Sequence, residues 1–93
     1  MKQIDMTKTK ALAESKDAVL VDIRDPVRYR DYHVEGSTFF HLRNVSLLSK
    51  YANDKRPFVL IYEAQDEQTL ASFSNYMIQF NIDPKRIHSL KLD

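Results

Sequence analysis

The run Phe58–Tyr62, with the sequence FVLIY, is apolar at every position and constrains the fold more than any other part of the chain. A short run of this kind is typical of a strand buried on both faces, as at the centre of a parallel sheet. Val19–Ile23 is a second run of this type, rich in β-branched residues and broken only by Asp22. Two such runs with a predicted helix between them favour an α/β arrangement.

Strands and helices are predicted to alternate along the chain. The strands are predicted at Gln3-Ile4, Ala18–Arg24, Thr38–His41, Phe58–Tyr62 and Ile87–Leu92. The helices are predicted from a cap at Thr7 or Thr9 to Lys16, over Val27–Asp31, from a cap at Asn44 to Tyr51, and over Glu67–Phe80. In the last helix one apolar stripe is formed by Leu70, Phe73, Met77 and Phe80. This alternation predicts a mostly parallel central sheet of about five strands with helices on both faces.

The composition fits one domain over residues 1–93 and excludes several classes of function. The net charge is +1, from 14 basic and 13 acidic side chains, so nothing favours nucleic acid or an anionic membrane as partner. The absence of cysteine excludes disulfides and thiolate metal sites, and the single glycine, Gly36, excludes glycine-rich phosphate loops. No cofactor is predicted. The N-terminal residues do not form a secretory signal, so a cytoplasmic location is expected.

The stretch Val19–Ser37, VLVDIRDPVRYRDYHVEGS, resembles the first signature of rhodanese-like domains. That signature is a strand ending in Asp-Val/Ile-Arg-Glu/Asp-Pro, followed by an aromatic residue, a His-Ile/Val-x-Gly segment and a small residue. The matching residues here are Asp22, Arg24, Asp25, Pro26, Tyr29, His33, Val34, Gly36 and Ser37. The resemblance implies a small three-layer fold with a five-stranded parallel sheet between helices. Many of these domains are sulfurtransferases that use one cysteine.

The loop after Phe58–Tyr62 is where the resemblance places the catalytic chemistry. In active relatives this loop reads Cys-x-x-Gly-x-Arg-Ser/Thr, and its backbone N–H groups hold the cysteine thiolate and an anionic substrate. Here a relict loop takes its place, with the sequence Glu63-Ala64-Gln65-Asp66-Glu67-Gln68-Thr69. Glu63 stands in the place of the cysteine, Asp66 in that of the glycine and Gln68 in that of the arginine. No catalytic residue is therefore predicted.

The charges of the relict loop disfavour the anionic substrates of the family. The loop carries three carboxylates, and no Lys or Arg lies between Pro57 and Pro84. Two like charges ~4 Å apart cost about 4 kcal/mol at an effective dielectric of 20, whereas a helix dipole returns only about 0.3–1 kcal/mol. Thiosulfate or phosphate is therefore expected to be repelled. Asp66 and Glu67 are expected to favour the start of the helix, with cation binding, acid–base chemistry or recognition of a basic segment as alternatives.

The remaining motif residues are expected to have structural roles. Asp22 and Arg24 end a strand near the relict loop, and are expected to order the loops there through hydrogen bonds. Asp25 is placed to cap the short helix that follows. His33 and Gly36 belong to the motif turn, where a structural role is expected rather than a catalytic one. The three histidines lack the spacing of metal ligands, so no metal site is predicted.

These observations predict a catalytically inactive rhodanese-like domain that acts as a binding or regulatory module for an unknown protein partner. The first alternative is an enzyme of unnamed class that works through Glu63, Asp66 or His33. The second alternative is a domain that only associates with itself or another subunit.

A homodimer or a bound partner is expected beside the last strand. Family members commonly continue past this strand with Gly-Gly and a further helix, which this chain lacks. The apolar surface that such a helix would cover is rarely left to water. The expected contacts are Leu90 and Leu92 together with Ala11 or Leu12. A shift of the first helix over the gap is the alternative.

Overall fold

The computed structural model describes all 93 residues, Met1–Asp93. The strands and α-helices, in chain order, are β1 (Lys2–Gln3), α1 (Met6–Ser15), β2 (Val19–Asp22), α2 (Pro26–Asp31), β3 (Thr38–Phe39), β4 (Phe58–Tyr62), α3 (Glu67–Gln79) and β5 (Ile87–Lys91). Three 3-10 segments lie between them, at Leu42–Tyr51, Ala64–Asp66 and Pro84–Arg86. No helix has both the length and the apolar character needed to cross a membrane.

The five strands form one parallel sheet in the order β1-β5-β4-β2-β3. β4 lies at the centre, where Leu60 is paired with Val21 of β2 on one side and with Ser89 of β5 on the other. Every residue of β4 is buried. The predicted α/β fold with a mostly parallel sheet of about five strands is therefore confirmed.

Alternating residues of β4 divide the core into two halves. Phe58, Leu60 and Tyr62 belong to the larger cluster, which also contains Leu70, Phe73 and Met77 of α3. Val59 and Ile61 belong to the smaller cluster, on the face covered by α1. Helices therefore lie on both faces of the sheet. Of the predicted stripe on α3, the first three residues are buried, whereas Phe80 is half-buried where the helix ends.

The start of α1 differs from the sequence prediction. The cap is Asp5, whose carboxylate accepts a hydrogen bond of 2.8 Å from the Lys8 N–H. Thr9, one of the two predicted caps, is fully buried inside the helix, and its hydroxyl donates to the Asp5 carbonyl. The prediction of Thr7 or Thr9 was wrong because Asp is as good a cap as Thr and lies one turn earlier.

The predicted helix that ends at Tyr51 is present as a 3-10 helix over Leu42–Tyr51, but Asn44 is not its cap. Its cap is His41, whose Nδ1 accepts a hydrogen bond of 3.1 Å from the Arg43 N–H. A 3-10 helix has three residues per turn, which suits the apolar spacing of Leu42, Val45, Leu48 and Tyr51. Leu47 lies off this line and is 58% exposed.

The surface beside β5 is covered by α1. Leu90 is only 3% exposed and belongs to the smaller core cluster, against which Met6, Leu12 and Leu92 pack. Leu90 is therefore not available as a contact for another molecule, and the expectation that it is one was wrong. A homodimer or a bound partner beside β5 stays a prediction.

Candidate functional site

Two loops meet at the edge of the sheet where the parallel strands end. β2 leads into the segment 23–26, and β4 leads into the relict loop, Glu63–Thr69. Because β2 and β4 are neighbours in the sheet, the side chains of these loops approach one another. The carboxyl ends of the strands are also where α/β proteins bind their ligands.

Arg24 links the two loops through a buried ion-pair network. Its guanidinium donates to both carboxylate oxygens of Asp22, at 2.9 to 3.1 Å, and its Nη1 donates to Glu63 Oε1 at 2.9 Å. The side chains of Arg24 and Asp22 are only 4% and 0% exposed. Burial alone would lower the pKa of Arg24, but the hydrogen bonds to Asp22 and Glu63 outweigh it and raise this pKa.

Arg28 forms a second bridge between the two loops. It lies on α2, and its Nη1 and Nη2 donate to the two carboxylate oxygens of Asp66 at 2.9 and 2.7 Å. Its Nε donates to Asp25 at 2.6 Å, and its Nη1 lies 3.5 Å from Glu63 Oε1. The pKa of Arg28 is raised, chiefly by the hydrogen bonds to Asp66. Asp66 is 7% exposed, so this pair is largely shielded from water.

Asp25 is the N-cap of α2. Its carboxylate accepts a hydrogen bond of 2.9 Å from the Arg28 N–H and also the one from the Arg28 side chain. These bonds, the backbone one first, lower the pKa of Asp25. Pro26 occupies the first turn of the helix, where its missing N–H has no cost. The Asp-Pro pair therefore fixes the start of α2 and, through it, the position of Arg28.

Backbone N–H groups of the relict loop donate to carboxylates of the chain itself. The Glu63 N–H donates to Asp66 Oδ2 at 3.0 Å, and the Ala64 N–H lies 2.9 and 3.1 Å from the two carboxylate oxygens of Asp93. The Asp66 N–H donates to the Glu63 carbonyl at 2.8 Å. The first N–H groups of this loop are therefore engaged within the protein rather than directed at an external anion.

The relict loop contains no Lys or Arg, but arginines from an earlier part of the chain face it. Two guanidinium groups reach Glu63 and Asp66 from positions 39 and 38 residues earlier in the chain. Asp66 was expected to favour the helix start, and its carboxylate does accept the Glu63 N–H in a capping box at the 3-10 turn Ala64–Asp66, which leads directly into α3. The same carboxylate also binds Arg28. Four carboxylates, those of Asp22, Asp25, Glu63 and Asp66, nevertheless surround only two arginines here.

His33 and Gly36 shape the segment that follows α2. His33 Nδ1 lies 2.8 Å from the Tyr29 carbonyl oxygen, and its ring stacks on the Tyr29 ring with centroids 3.9 Å apart. The Tyr29 hydroxyl donates to the Ser37 carbonyl at 2.6 Å. Gly36 has φ of +90°, a conformation that an L side chain rarely adopts. These contacts hold the turn together, and none of the hydrogen bonds of His33 reaches the relict loop.

The carboxylates at this edge of the sheet are paired with arginines. They do not surround an open space in which a cation could be held. No group of three or more His, Asp or Glu side chains is arranged to hold a metal ion. A cavity of about 510 Å³ lies elsewhere, lined by Lys10, Ala13, Glu14, Glu35 and Gly36. The site is therefore a closed network of ion pairs built on two neighbouring strand ends.

The comparisons with known proteins agree with this fold. Residues 5–90 match the model of the rhodanese-like domain, so the chain belongs to the rhodanese-like domain family. One similar curated protein is the thiosulfate sulfurtransferase GlpE of Pseudoalteromonas translucida (strain TAC 125). The two are 29% identical over 73 residues, which span 77% of this chain and 70% of that protein. No solved structure gives a significant match.

Proposed function

We propose that this chain is a rhodanese-like domain that does not transfer sulfur and acts as a binding or regulatory module for a protein partner. The binding surface in this proposal is the relict loop, Glu63–Thr69, with the exposed residues around it. The proposal includes a cytoplasmic location, which fractionation of the source cells tests.

The observation that carries the proposal is the environment of Glu63. This residue follows β4 directly, at the position that the family resemblance gives to the cysteine nucleophile. Its carboxylate accepts a hydrogen bond of 2.9 Å from Arg24 and lies 3.5 Å from Arg28. A carboxylate that two arginines approach in this way supports a structural role in the network, because its Oε1 atom is already engaged by both guanidinium groups.

The two alternatives receive less support from the contacts. An enzyme that uses Glu63 or Asp66 would need a carboxylate free to exchange a proton, yet both carboxylates bind arginines. His33 lies in the turn after α2 and contacts Tyr29. Self-association is separated from the main proposal by sedimentation of the pure protein over a wide concentration range.

Affinity capture from the source cells tests the proposed binding surface. The bait variant replaces Ala64, Gln65, Glu67 and Gln68, all of which are exposed, and leaves Glu63 and Asp66 in the ion-pair network. A matched control replaces Lys10 and Glu14, which are exposed on α1. We expect a protein that the native chain and the control retain and that the loop variant loses. Equal capture by all three baits would contradict the relict loop as the binding surface.

A further inference from the structure

A second surface, separate from the relict loop, lies between the 3-10 segment Leu42–Tyr51 and the C-terminal half of α3. It forms a groove of about 430 Å³ lined by His41, Leu42, Arg43, Val45, Ser46, Tyr76 and Phe80. Val45 belongs to the larger core cluster, and Leu42 and Phe80 pack against it. The floor of the groove is therefore apolar and held in place by the core.

Large apolar side chains are exposed on the layer that contains this groove. Only six such residues are exposed in the whole chain, and three of them, Leu47, Tyr76 and Ile78, lie on the 3-10 segment and α3. Tyr76 lines the groove and is 44% exposed. A tyrosine exposed beside an apolar floor is the kind of anchor that protein interfaces use.

The polar groups that line the groove are hydrogen-bond donors without acceptors from the chain. The guanidinium of Arg43 takes part in no ion pair or side-chain hydrogen bond, in contrast to those of Arg24 and Arg28. The hydroxyls of Ser46 and Tyr76 also make none. His41 accepts the Arg43 N–H at Nδ1, so its neutral ring carries the proton on Nε2.

Carboxylates are absent from the 3-10 segment Leu42–Tyr51 and, after Glu67, from α3. The sequence contains no Asp or Glu between Thr38 and Asn53, and none between Gln68 and Asn81. Glu67 lies at the far end of α3, roughly 13 Å from Tyr76 along the helix at 1.5 Å per residue. The groove therefore offers an apolar floor, one unpaired guanidinium and several donors, but no anion of its own.

From this complementarity we propose that the groove is a docking site for a protein segment that places an aliphatic or aromatic side chain next to a carboxylate. The apolar side chain would fill the floor between Val45 and Phe80, and the carboxylate would bind Arg43. A nucleic acid fits less well, because binding its backbone takes a track of basic residues and this groove has a single arginine. This inference goes beyond the proposed function, which concerns the relict loop.

Selection from a phage-displayed library of random 12-residue peptides tests the proposal with the full chain as the target. We expect the enriched peptides to share Leu, Ile, Phe or Trp beside Asp or Glu. One enriched peptide, labelled with a fluorophore, is then titrated with the native chain and its variants. Arg43→Glu should weaken its binding roughly tenfold, since it replaces attraction by repulsion at an exposed site.

Matched variants separate docking from a general effect of charge or folding. Arg30→Glu makes the same charge change on α2, where the Arg30 side chain is 75% exposed, and should leave the affinity unchanged within about twofold. Tyr76→Ala should weaken binding while the far-UV circular dichroism stays native. Amide chemical shifts measured with the peptide should change at Leu42, Ser46 and Tyr76.

Four outcomes of the peptide experiments would overturn the proposal. They are the absence of any enriched peptide, enriched peptides without acidic residues, equal binding by Arg43→Glu, and chemical shifts that map to the relict loop. A native dimer that Tyr76→Ala dissociates would make a second copy the occupant and would also overturn it. None of these results depends on sulfur transfer or on capture by the relict loop, so the proposed function stands or fails separately.

Discussion

Two arginines determine the character of the strand-end site. Arg24 binds Asp22 at the end of β2 and Glu63 of the relict loop. Arg28 binds Asp25 and Asp66 and also lies within reach of Glu63. A buried charge is stable only when it is paired and hydrogen-bonded, as Asp22 is with the Arg24 backbone N–H and guanidinium. The network thus holds the segment after β2 and the relict loop in one arrangement.

Arg24→Met removes the charge that compensates Asp22 and keeps most of the side-chain volume. The carboxylate of Asp22, which is fully buried, would then lack its main partner. We expect a loss of about 3–5 kcal/mol in the free energy of unfolding, measured by urea denaturation. The control Arg30→Met breaks only an exposed pair with Asp31 and should cost less than about 1 kcal/mol. Similar small losses for both variants would show that the network does not stabilise the fold.

His88 gives the protein a pH-dependent stability. Its Nδ1 is buried with no hydrogen-bond partner in the protein. Its pKa is lowered from 6.5, first by burial and then by the positive charges of Lys2, Lys8 and the amino terminus. The unfolded chain therefore takes up a proton at a higher pH than the folded chain, so the stabilisation is present above pH 6.5 and is lost as the pH falls through the folded pKa.

Urea denaturation at about pH 7.5 and about pH 5.5 measures this effect of His88. The midpoint of the native chain should fall more between the two conditions than that of His88→Gln, which has no proton to gain. The other groups titrate in both proteins and cancel in the comparison. Equal falls would mean that His88 does not contribute to the pH dependence.

Among the elements, those with the clearest apolar pattern were predicted best. β4 has the predicted bounds, Phe58–Tyr62. An apolar run of five residues indicates a strand that is buried on both faces, so the prediction did not require one face to be chosen as the inner one. The stripe on α3 also packs as expected for Leu70, Phe73 and Met77. The helix that ends at Tyr51 was predicted, but its start was placed at Asn44 rather than after His41, because Asn is a favoured cap residue and His is not.

Substitution of Phe73 tests how α3 packs against the sheet. Its side chain is fully buried in the larger core cluster. Phe73→Ala should lower the free energy of unfolding by about 3–5 kcal/mol, a large part of the stability of a small domain. Tyr76→Ala, on the exposed side of the same helix, should cost clearly less in the same measurement. A loss of less than about 1 kcal/mol in the free energy of unfolding of Phe73→Ala would contradict the burial of this face of α3 in the core.

At the scale of the whole molecule, the fold was predictable and the electrostatics of its site were not. The alternation of strands and helices defined the parallel sheet, and the motif around Asp22 and Arg24 indicated where the loops lie. The partner of Glu63 is Arg24, in the segment after β2, and the partner of Asp66 is Arg28, on α2, at separations of 39 and 38 residues. Such contacts depend on strand order and side-chain direction, which a local pattern does not contain.

Replacing Glu63 alone by cysteine should not give the chain sulfurtransferase activity, because the charges and hydrogen-bond donors around this position are already paired within the protein. In Glu63→Cys, Arg24 and Arg28 would favour a thiolate, but Asp22, Asp25 and Asp66 already bind these arginines. The backbone N–H groups of Glu63 and Ala64 donate to Asp66 and Asp93 rather than to a substrate. An anionic sulfur donor would therefore meet more negative than positive charge and two occupied donors.

The most direct test is a thiosulfate:cyanide sulfurtransferase assay of the purified native chain and of Glu63→Cys, with an active rhodanese as the positive control. We predict rates indistinguishable from the blank without protein for both, while the control turns over in the same buffer. The variant should retain the native circular dichroism spectrum, so that its inactivity reports on the site. Turnover by the native chain that survives careful purification would contradict the central claim that this domain does not transfer sulfur.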